Sequence, residues 1–479
     1  MDVTPDTPTD ASEYDLIVIG AGPVGENVAD RAVQGGLTAV IVESELVGGE
    51  CSYWACMPSK TLLRPVAALR AARAVPGAAA AVTGGVDVAA TLRARDAMVH
   101  EWSDDSQVDW LRQAGIDLVR GHARLDGERT VRVEAADGAE RVLRARHAVA
   151  LCTGSAALLP DIPGLADAAP WTSREATGVR DVPASLAILG GGVVACEMAT
   201  AFASLGTRVT VIARSGLLGG LDPLAGDAVT AGLREAGVEV RLRTDVTAVR
   251  RGDAGVTLAL GDGSEVVADE ILVATGRVPR TADLGLETVG LAPGEWVRVD
   301  DTMRVGGTDW LYAVGDVNHR ALLTHQGKYQ ARAAGDVIVA RADGSGVQNG
   351  PWGRHVATAD HTAVPQVVFT EPQVAAVGRT AAQARAEGID VRVLDVDLGA
   401  VAGAATHAEG YTGTSRTVVD EGRQVVVGMT LVGPDVAELL HAATIAIVGE
   451  VPLARLWHAV PAYPTIGELW LRTLEAHGR

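Results

Sequence analysis

The chain has 479 residues, with 41 Lys plus Arg against 60 Asp plus Glu and a formal net charge of −19 at pH 7, a field that makes nucleic acid and anionic membrane surfaces poor partners. At roughly 150 residues per domain the length implies about three domains. Four cysteines, no recognisable leader and no apolar run of about 18 residues lead to the expectation of a cytoplasmic protein with no membrane partner and no disulfide framework. Residues 1–13, rich in Pro, Thr and Asp, predict a disordered tail, because they carry too little apolar surface to offset the entropy of ordering. From Tyr14 the text becomes an apolar run, a Gly-rich turn, a helical stretch and a second apolar run ending on Glu43; residues 184–214 repeat that order. Two βαβ units imply two nucleotide sites. Between them an Ala-rich stretch over 66–92 predicts helix with a Gly-containing break, and residues 116–150 alternate as strands do. Beyond residue 360 the pattern predicts an α+β domain with an antiparallel sheet. The expected fold class is therefore α/β, with two Rossmann-like dinucleotide-binding domains and a C-terminal α+β domain.

In the first unit Gly20, Gly22 and Gly25 follow a strand and open a helix. Such glycines permit the tight turn, the approach of backbone to a pyrophosphate and close helix–strand packing, while Glu43 is placed to accept ribose hydroxyls. The second unit has Gly190, Gly191 and Gly192, with Ala195 at the third glycine position. Its second strand ends at Ala213, followed by Arg214. Loss of the ribose carboxylate and gain of a guanidinium favours NADPH over NADH; the plainer alternative is a solvated strand end. The segment Gly48-Gly49-Glu50-Cys51-Ser52-Tyr53-Trp54-Ala55-Cys56-Met57-Pro58-Ser59-Lys60 is the most informative. Two cysteines five apart at a helix start can close a short, strained and therefore labile disulfide. No metal site is expected, since Cys152 and Cys196 lie in strand and helix contexts and no CxxC pair exists; both read as small buried hydrophobes. Lys60 and Lys328 are the two lysines of the chain, which makes a lysine inside a motif a poor candidate for filler.

These features, together with Leu311-Tyr312-Ala313-Val314-Gly315-Asp316, resemble the FAD-dependent pyridine nucleotide–disulfide oxidoreductases, the group of glutathione reductase, dihydrolipoamide dehydrogenase and mercuric reductase, over residues 14 to about 475. The resemblance implies an FAD-binding domain at 14–157 and 283–360, an NAD(P)H-binding domain at 158–282 and a dimerisation domain at 361–479. It implies that Gly20, Gly22, Gly25, Glu43 and Gly49 hold FAD, that Asp316 binds a ribityl hydroxyl, and that Thr153-Gly154 and Thr275-Gly276-Arg277 flank the nucleotide sites. Gly190, Gly192 and Arg214 would receive the pyridine nucleotide. Cys56 would face the flavin, Cys51 would be the outer interchange thiol, and Lys60 would lie beside flavin N5, paired with Glu197. His325 would start the helix aimed at the pyrimidine edge. A homodimer is implied, with Tyr463 and Glu468 lent to the neighbouring active site.

The family pattern is not fully kept. Disulfide-reducing members end in His-Pro-Thr-x-x-Glu, whereas this chain reads Tyr463-Pro464-Thr465-Ile466-Gly467-Glu468. A phenol is a poor base at pH 7, and an imidazole contributes roughly 10²–10⁴ in rate. Mercuric reductases resemble the sequence in carrying Tyr there, but they also end in a cysteine pair, and nothing after Cys196 is a cysteine. His458 is a candidate displaced base. Glu50, before Cys51, is a candidate for raising that thiol's pKa or relaying its proton, and Trp54 for narrowing the disulfide side or stacking on a flat substrate. The expected function is NAD(P)H-driven reduction of a low-molecular-weight disulfide or related sulfur electrophile through Cys51 and Cys56. Alternatives are a mercuric-ion reductase, a flavin-only quinone or oxygen reductase and, last, a non-catalytic nucleotide-binding protein.

Overall fold

The computed structural model describes residues 12–253 and 255–478, which group into two units. Of the tail expected to be disordered, residues 1–11 lie outside the described residues. Ser12 and Glu13 correct that expectation: they begin the strand Ser12–Ile19, because the long strand Glu140–Leu151 offers them partners at Leu143 and Arg144.

Among the described residues the first unit comprises 12–53, 99–156 and 277–360. Its sheet runs Asp117–Arg120, Ala39–Glu43, Ser12–Ile19, Glu140–Leu151, Thr130–Glu134, His122–Leu125, with Leu311–Ala313 also paired to Glu140–Leu151. Ser12–Ile19 pairs in parallel with Ala39–Glu43 and Glu140–Leu151, and Leu311–Ala313 is also parallel to Glu140–Leu151, whereas Thr130–Glu134 runs antiparallel to Glu140–Leu151 and to His122–Leu125. Both faces of the central strands are covered, so they read as unbroken apolar runs. Leu16 and Val18 meet Val28, Ala29 and Ala32 of the helix Pro23–Gln34 and Ala334, Val337 and Ile338 of the helix Thr324–Ala342. Ile17 and Ile19 point the other way, onto Leu125, Val131 and Leu143.

Among the described residues the second unit comprises 54–98, 157–253, 255–276 and 361–478. A parallel sheet runs Glu239–Leu242, Arg208–Ala213, Ser185–Leu189, Glu270–Val273. An antiparallel meander, Val246–Gly252, Gly255–Leu260 and Glu265–Ala268, accompanies it, an addition that the nucleotide-fold pattern did not predict. The C-terminal stretch forms the expected antiparallel sheet, ordered Gln366–Val368, Gln373–Gly378, Val425–Gly433, Thr414–Asp420, Val391–Asp397. The Ala-rich stretch is helical at Cys56–Arg73, Pro76–Ala79 and Val88–Met98, with the Gly84-Gly85 break between the last two.

Candidate active site

In the first unit the Gly-rich turn is built by contact. Gly20 adopts φ +103°, and a Cβ there would lie 2.5 Å from the Cys152 carbonyl oxygen. At Gly25 a Cβ would fall 1.9 Å from the Gly20 oxygen, so helix Pro23–Gln34 can start against its strand only if that residue is glycine. Gly49, at φ +58°, backs onto Gly22 in the same way. Gly22 itself faces open space, the arrangement an anion at a helix start requires. Glu43 ends its strand as expected, and its carboxylate braces the turn directly: one oxygen accepts from the Ala21 N–H at 2.6 Å, the other from the Glu45 N–H at 2.8 Å.

A charged cluster closes the same unit. The Ser155 hydroxyl donates to Asp316 at 2.6 Å and accepts from Arg277 Nε at 2.5 Å. Arg280 reaches the Ser155 carbonyl and pairs with Glu50 at 3.0 Å. Burial pushes the Asp316 carboxyl up, against the Ser155 hydrogen bond and the Arg277 charge, which hold it down. Glu50, the residue before Cys51, is thus charge-compensated by Arg280. Thr153 Oγ1 is buried and has no hydrogen-bond partner among the described residues, beside Gly154 at φ +71° with nothing near its missing Cβ. An unsatisfied buried hydroxyl, an open helix start and a braced carboxylate fit a dinucleotide such as FAD. Cys51 is half-buried on the short helix Gly49–Tyr53, where Tyr53 is fully buried and its hydroxyl donates to the Val47 carbonyl at 3.0 Å. His325 is exposed in the first turn of Thr324–Ala342.

In the second unit, Gly190 at φ +132° packs on the Ala274 carbonyl, Gly192 opens the helix Val193–Ser204 with free space at its Cβ position, and Ala195 is fully buried. Gly276, at φ +147°, accepts from the Leu158 N–H at 2.9 Å. Arg214 is exposed directly after the strand ending at Ala213. Cys56 opens the helix Cys56–Arg73, and one turn on, Lys60 Nζ lies 2.7 Å from Glu197 Oε2. Glu197 is 3% exposed on Val193–Ser204, so a buried carboxylate is matched by a cation. Its second oxygen accepts from the Phe369 N–H at 3.0 Å.

Trp54 carries the Arg174 guanidinium over its ring at 4.1 Å, and its carbonyl accepts from Thr177. A structural partner therefore already occupies part of that ring. Tyr463 is 78% exposed and His458 is exposed, whereas Glu468 is 7% exposed, with Oε2 lacking a hydrogen-bond partner among the described residues. Burial pushes the Cys196 thiol up to about 12 and the Cys152 thiol higher still, which leaves both inert. Sequence reasoning missed Ser155, Arg280 and Phe369. The chain's two phenylalanines offered a faint signal for the last; nothing local marks the other two.

Two nucleotide cradles, a dithiol motif and a buried lysine–glutamate pair define the class of flavin- and pyridine-nucleotide-dependent thiol redox enzymes. Residues 14–344 match the family model "Pyridine nucleotide-disulphide oxidoreductase" and residues 364–473 its dimerisation domain. The chain belongs to this family. It is 34% identical over 473 residues to a mercuric reductase of Acidithiobacillus ferrooxidans, covering 96% of this chain and 82% of that one. It is 30% identical over 459 residues to a dihydrolipoyl dehydrogenase of Pseudomonas aeruginosa, covering 95% of each. The fold matches the Escherichia coli HOCl-induced flavoprotein disulfide reductase RclA in its Cu(II) complex, with TM-score 0.82 at 23% identity, over 97% of this chain and 99% of that one. The protein is an FAD-dependent NAD(P)H oxidoreductase of the disulfide-reductase type. Among the described residues no helix is long and apolar enough to cross a membrane.

Proposed function

We propose that the chain is an NADPH-preferring cytoplasmic reductase of a low-molecular-weight disulfide or related sulfur electrophile, working as a homodimer. Residues 14–157 and 283–360 serve FAD, 158–282 the pyridine nucleotide, and 361–479 dimerisation. The observation that carries the reading is the Lys60–Glu197 pair at 2.7 Å. It ties the helix that opens at Cys56 to the helix that opens the second nucleotide fold. FAD, when bound, would supply two-electron chemistry between the nucleotide and a disulfide. The chain's own parts are then distinct. Gly20, Gly22, Gly25, Gly49, Thr153, Gly154 and Asp316 bind and orient the cofactor; Gly190, Gly192, Gly276 and Arg214 receive the nucleotide, Arg214 supporting NADPH by its charge. Lys60 holds positive charge beside the flavin, and His325 adds a helix start. Two electrons open the Cys51–Cys56 bond. The Cys51 thiolate attacks one sulfur of the acceptor and expels the other as a thiolate, and Cys56 resolves the mixed disulfide, releasing the second thiol; two protons complete the balance.

Tyr463, in our reading, stands where relatives carry the interchange imidazole, with Glu468 behind it, and Arg280 offsets the Glu50 charge next to Cys51. The test is anaerobic titration of the holoprotein with NADPH and NADH, followed by turnover with disulfides, quinones and Hg(II). Long-wavelength thiolate–flavin absorbance after one equivalent, abolished in Cys56→Ser, is expected, together with loss of disulfide turnover in Cys51→Ser. Full turnover in Cys51→Ser would instead establish the flavin-only route. Tyr463→His is expected to raise disulfide turnover at least ~10-fold, within the range an imidazole supplies. The mercuric-ion reading is favoured by the identity to mercuric reductases; it predicts that Tyr463→His leaves Hg(II) turnover unchanged.

A further inference from the structure

The segment that follows the C-terminal domain's first strand, Gln366–Val368, lies along the helix that opens at Cys56. Lys60 Nζ is 5.1 Å from the centroid of the Phe369 ring, while the Phe369 N–H donates to Glu197 Oε1 at 3.0 Å and Lys60 Nζ to Glu197 Oε2 at 2.7 Å. One residue therefore touches both members of the pair, the carboxylate through its backbone and the ammonium through its π face. Ten residues further along the helix, about 15 Å by its rise, Arg70 pairs with Glu371 at 3.7 Å. The segment between is itself held: Val368 is fully buried in the core that includes Leu62, Leu63 and Phe202, and the Thr370 hydroxyl donates to the Pro372 carbonyl at 2.7 Å. A carboxylate 3% exposed needs both oxygens satisfied, and here the second donor comes from a different part of the chain than the first. The lysine side chain is about a third exposed, so the ring confines an ammonium that would otherwise swing into water.

We propose that Phe369 is a positioning residue for reduction of the flavin: its N–H fixes the orientation of Glu197, and its ring fixes Lys60, so that the C-terminal domain sets the placement of a cation used in chemistry at the cofactor. The inference rests on the reading that Lys60 acts beside flavin N5. Phe369→Leu keeps the backbone donor and removes the π face, whereas Phe369→Trp keeps and enlarges it. In the holoenzyme, single-turnover flavin reduction by NADPH is expected to slow about two- to five-fold in Phe369→Leu, the range of one partly exposed cation–π contact, and to return to the original rate or above in Phe369→Trp, with FAD content equal in all three. The chain's two phenylalanines, Phe202 and Phe369, permit a second measurement that needs no substitution at 369. Uniform 4-fluorophenylalanine labelling gives two ¹⁹F resonances, assigned with Phe202→Leu, and the Phe369 signal is expected to move in Lys60→Met while the Phe202 signal stays.

Equal reduction rates in Phe369→Leu and the unsubstituted enzyme, or a Phe369 resonance indifferent to Lys60→Met, overturn the proposal. The underlying reading fails separately: if Lys60→Met itself reduces its flavin at the original rate, Lys60 is not beside the reacting centre, whatever the fluorine signal does.

Discussion

Glu26, the residue after Gly25, shows how a nucleotide-binding turn can cost stability. It is largely buried, Oε1 has no hydrogen-bond partner among the described residues, and burial pushes the carboxyl up to about 7, with Glu43 adding to the shift and Lys328 opposing it. The ordinary value is 4.5, so between the two values the folded chain holds a proton that the unfolded chain has released. Each pH step upward through that window therefore favours unfolding, and the cost is complete above about 7 and absent well below 4.5. Glu26→Gln removes the titration. It is expected to stabilise the FAD-free protein by ~3 kcal/mol at pH 8 and by less than ~1 kcal/mol at pH 5. Urea unfolding at the two pH values measures this, and an equal gain at both would show that the carboxyl is not held out of water.

At the scale of elements, the two glycines Gly22 and Gly25 on either side of Pro23-Val24 separate cofactor binding from folding. A methyl at Gly25 would overlap the Gly20 oxygen, so Gly25→Ala must lift the helix Pro23–Gln34 from its strand; lowered thermal stability and lost flavin absorbance are expected together. Gly22→Ala meets no protein atom within 4 Å, and is expected to lose flavin while the FAD-free protein melts at its usual temperature. A parallel loss of stability in both variants would mean that the turn, not the cofactor, needs Gly22. These elements were legible because strand, glycines, helix and strand are local patterns, with Glu43 at the end of the first; Lys60 was legible from the cysteine segment that follows it. The brace from Glu43 to the Ala21 N–H was legible only as an acid at a strand end. Ser155 and Arg280 were not legible, and Phe369 only faintly through its rarity, since each gains its partner from over 100 residues away. The meander Val246–Ala268 was missed because three short strands at a nucleotide fold's edge leave its βαβ pattern unbroken.

For the molecule as a whole, the net charge of −19 opposes self-association, yet the chain carries a dimerisation domain over residues 364–473. Association must therefore draw on apolar surface. Within residues 457–464 of that domain, Trp457, Val460 and Tyr463 are all exposed, Val460 at 85%, and three large apolar groups left to water in so short a stretch mark an interaction surface. Val460→Asp would place a carboxylate where desolvation leaves it unpaired, and it adds one more like charge to each subunit. Sedimentation at physiological salt is expected to give about twice the chain mass of 49.4 kDa for the unsubstituted protein and the single-chain mass for Val460→Asp. High salt is expected to restore little, since screening reduces the repulsion between exposed charges but not the desolvation of a buried one. Val267→Asp, an exposed position on the strand Glu265–Ala268, is the control and is expected to stay dimeric. If Val460→Asp remains a dimer with unchanged disulfide turnover, the 457–464 segment lies outside the interface, and Tyr463 has no route to a neighbouring Cys51.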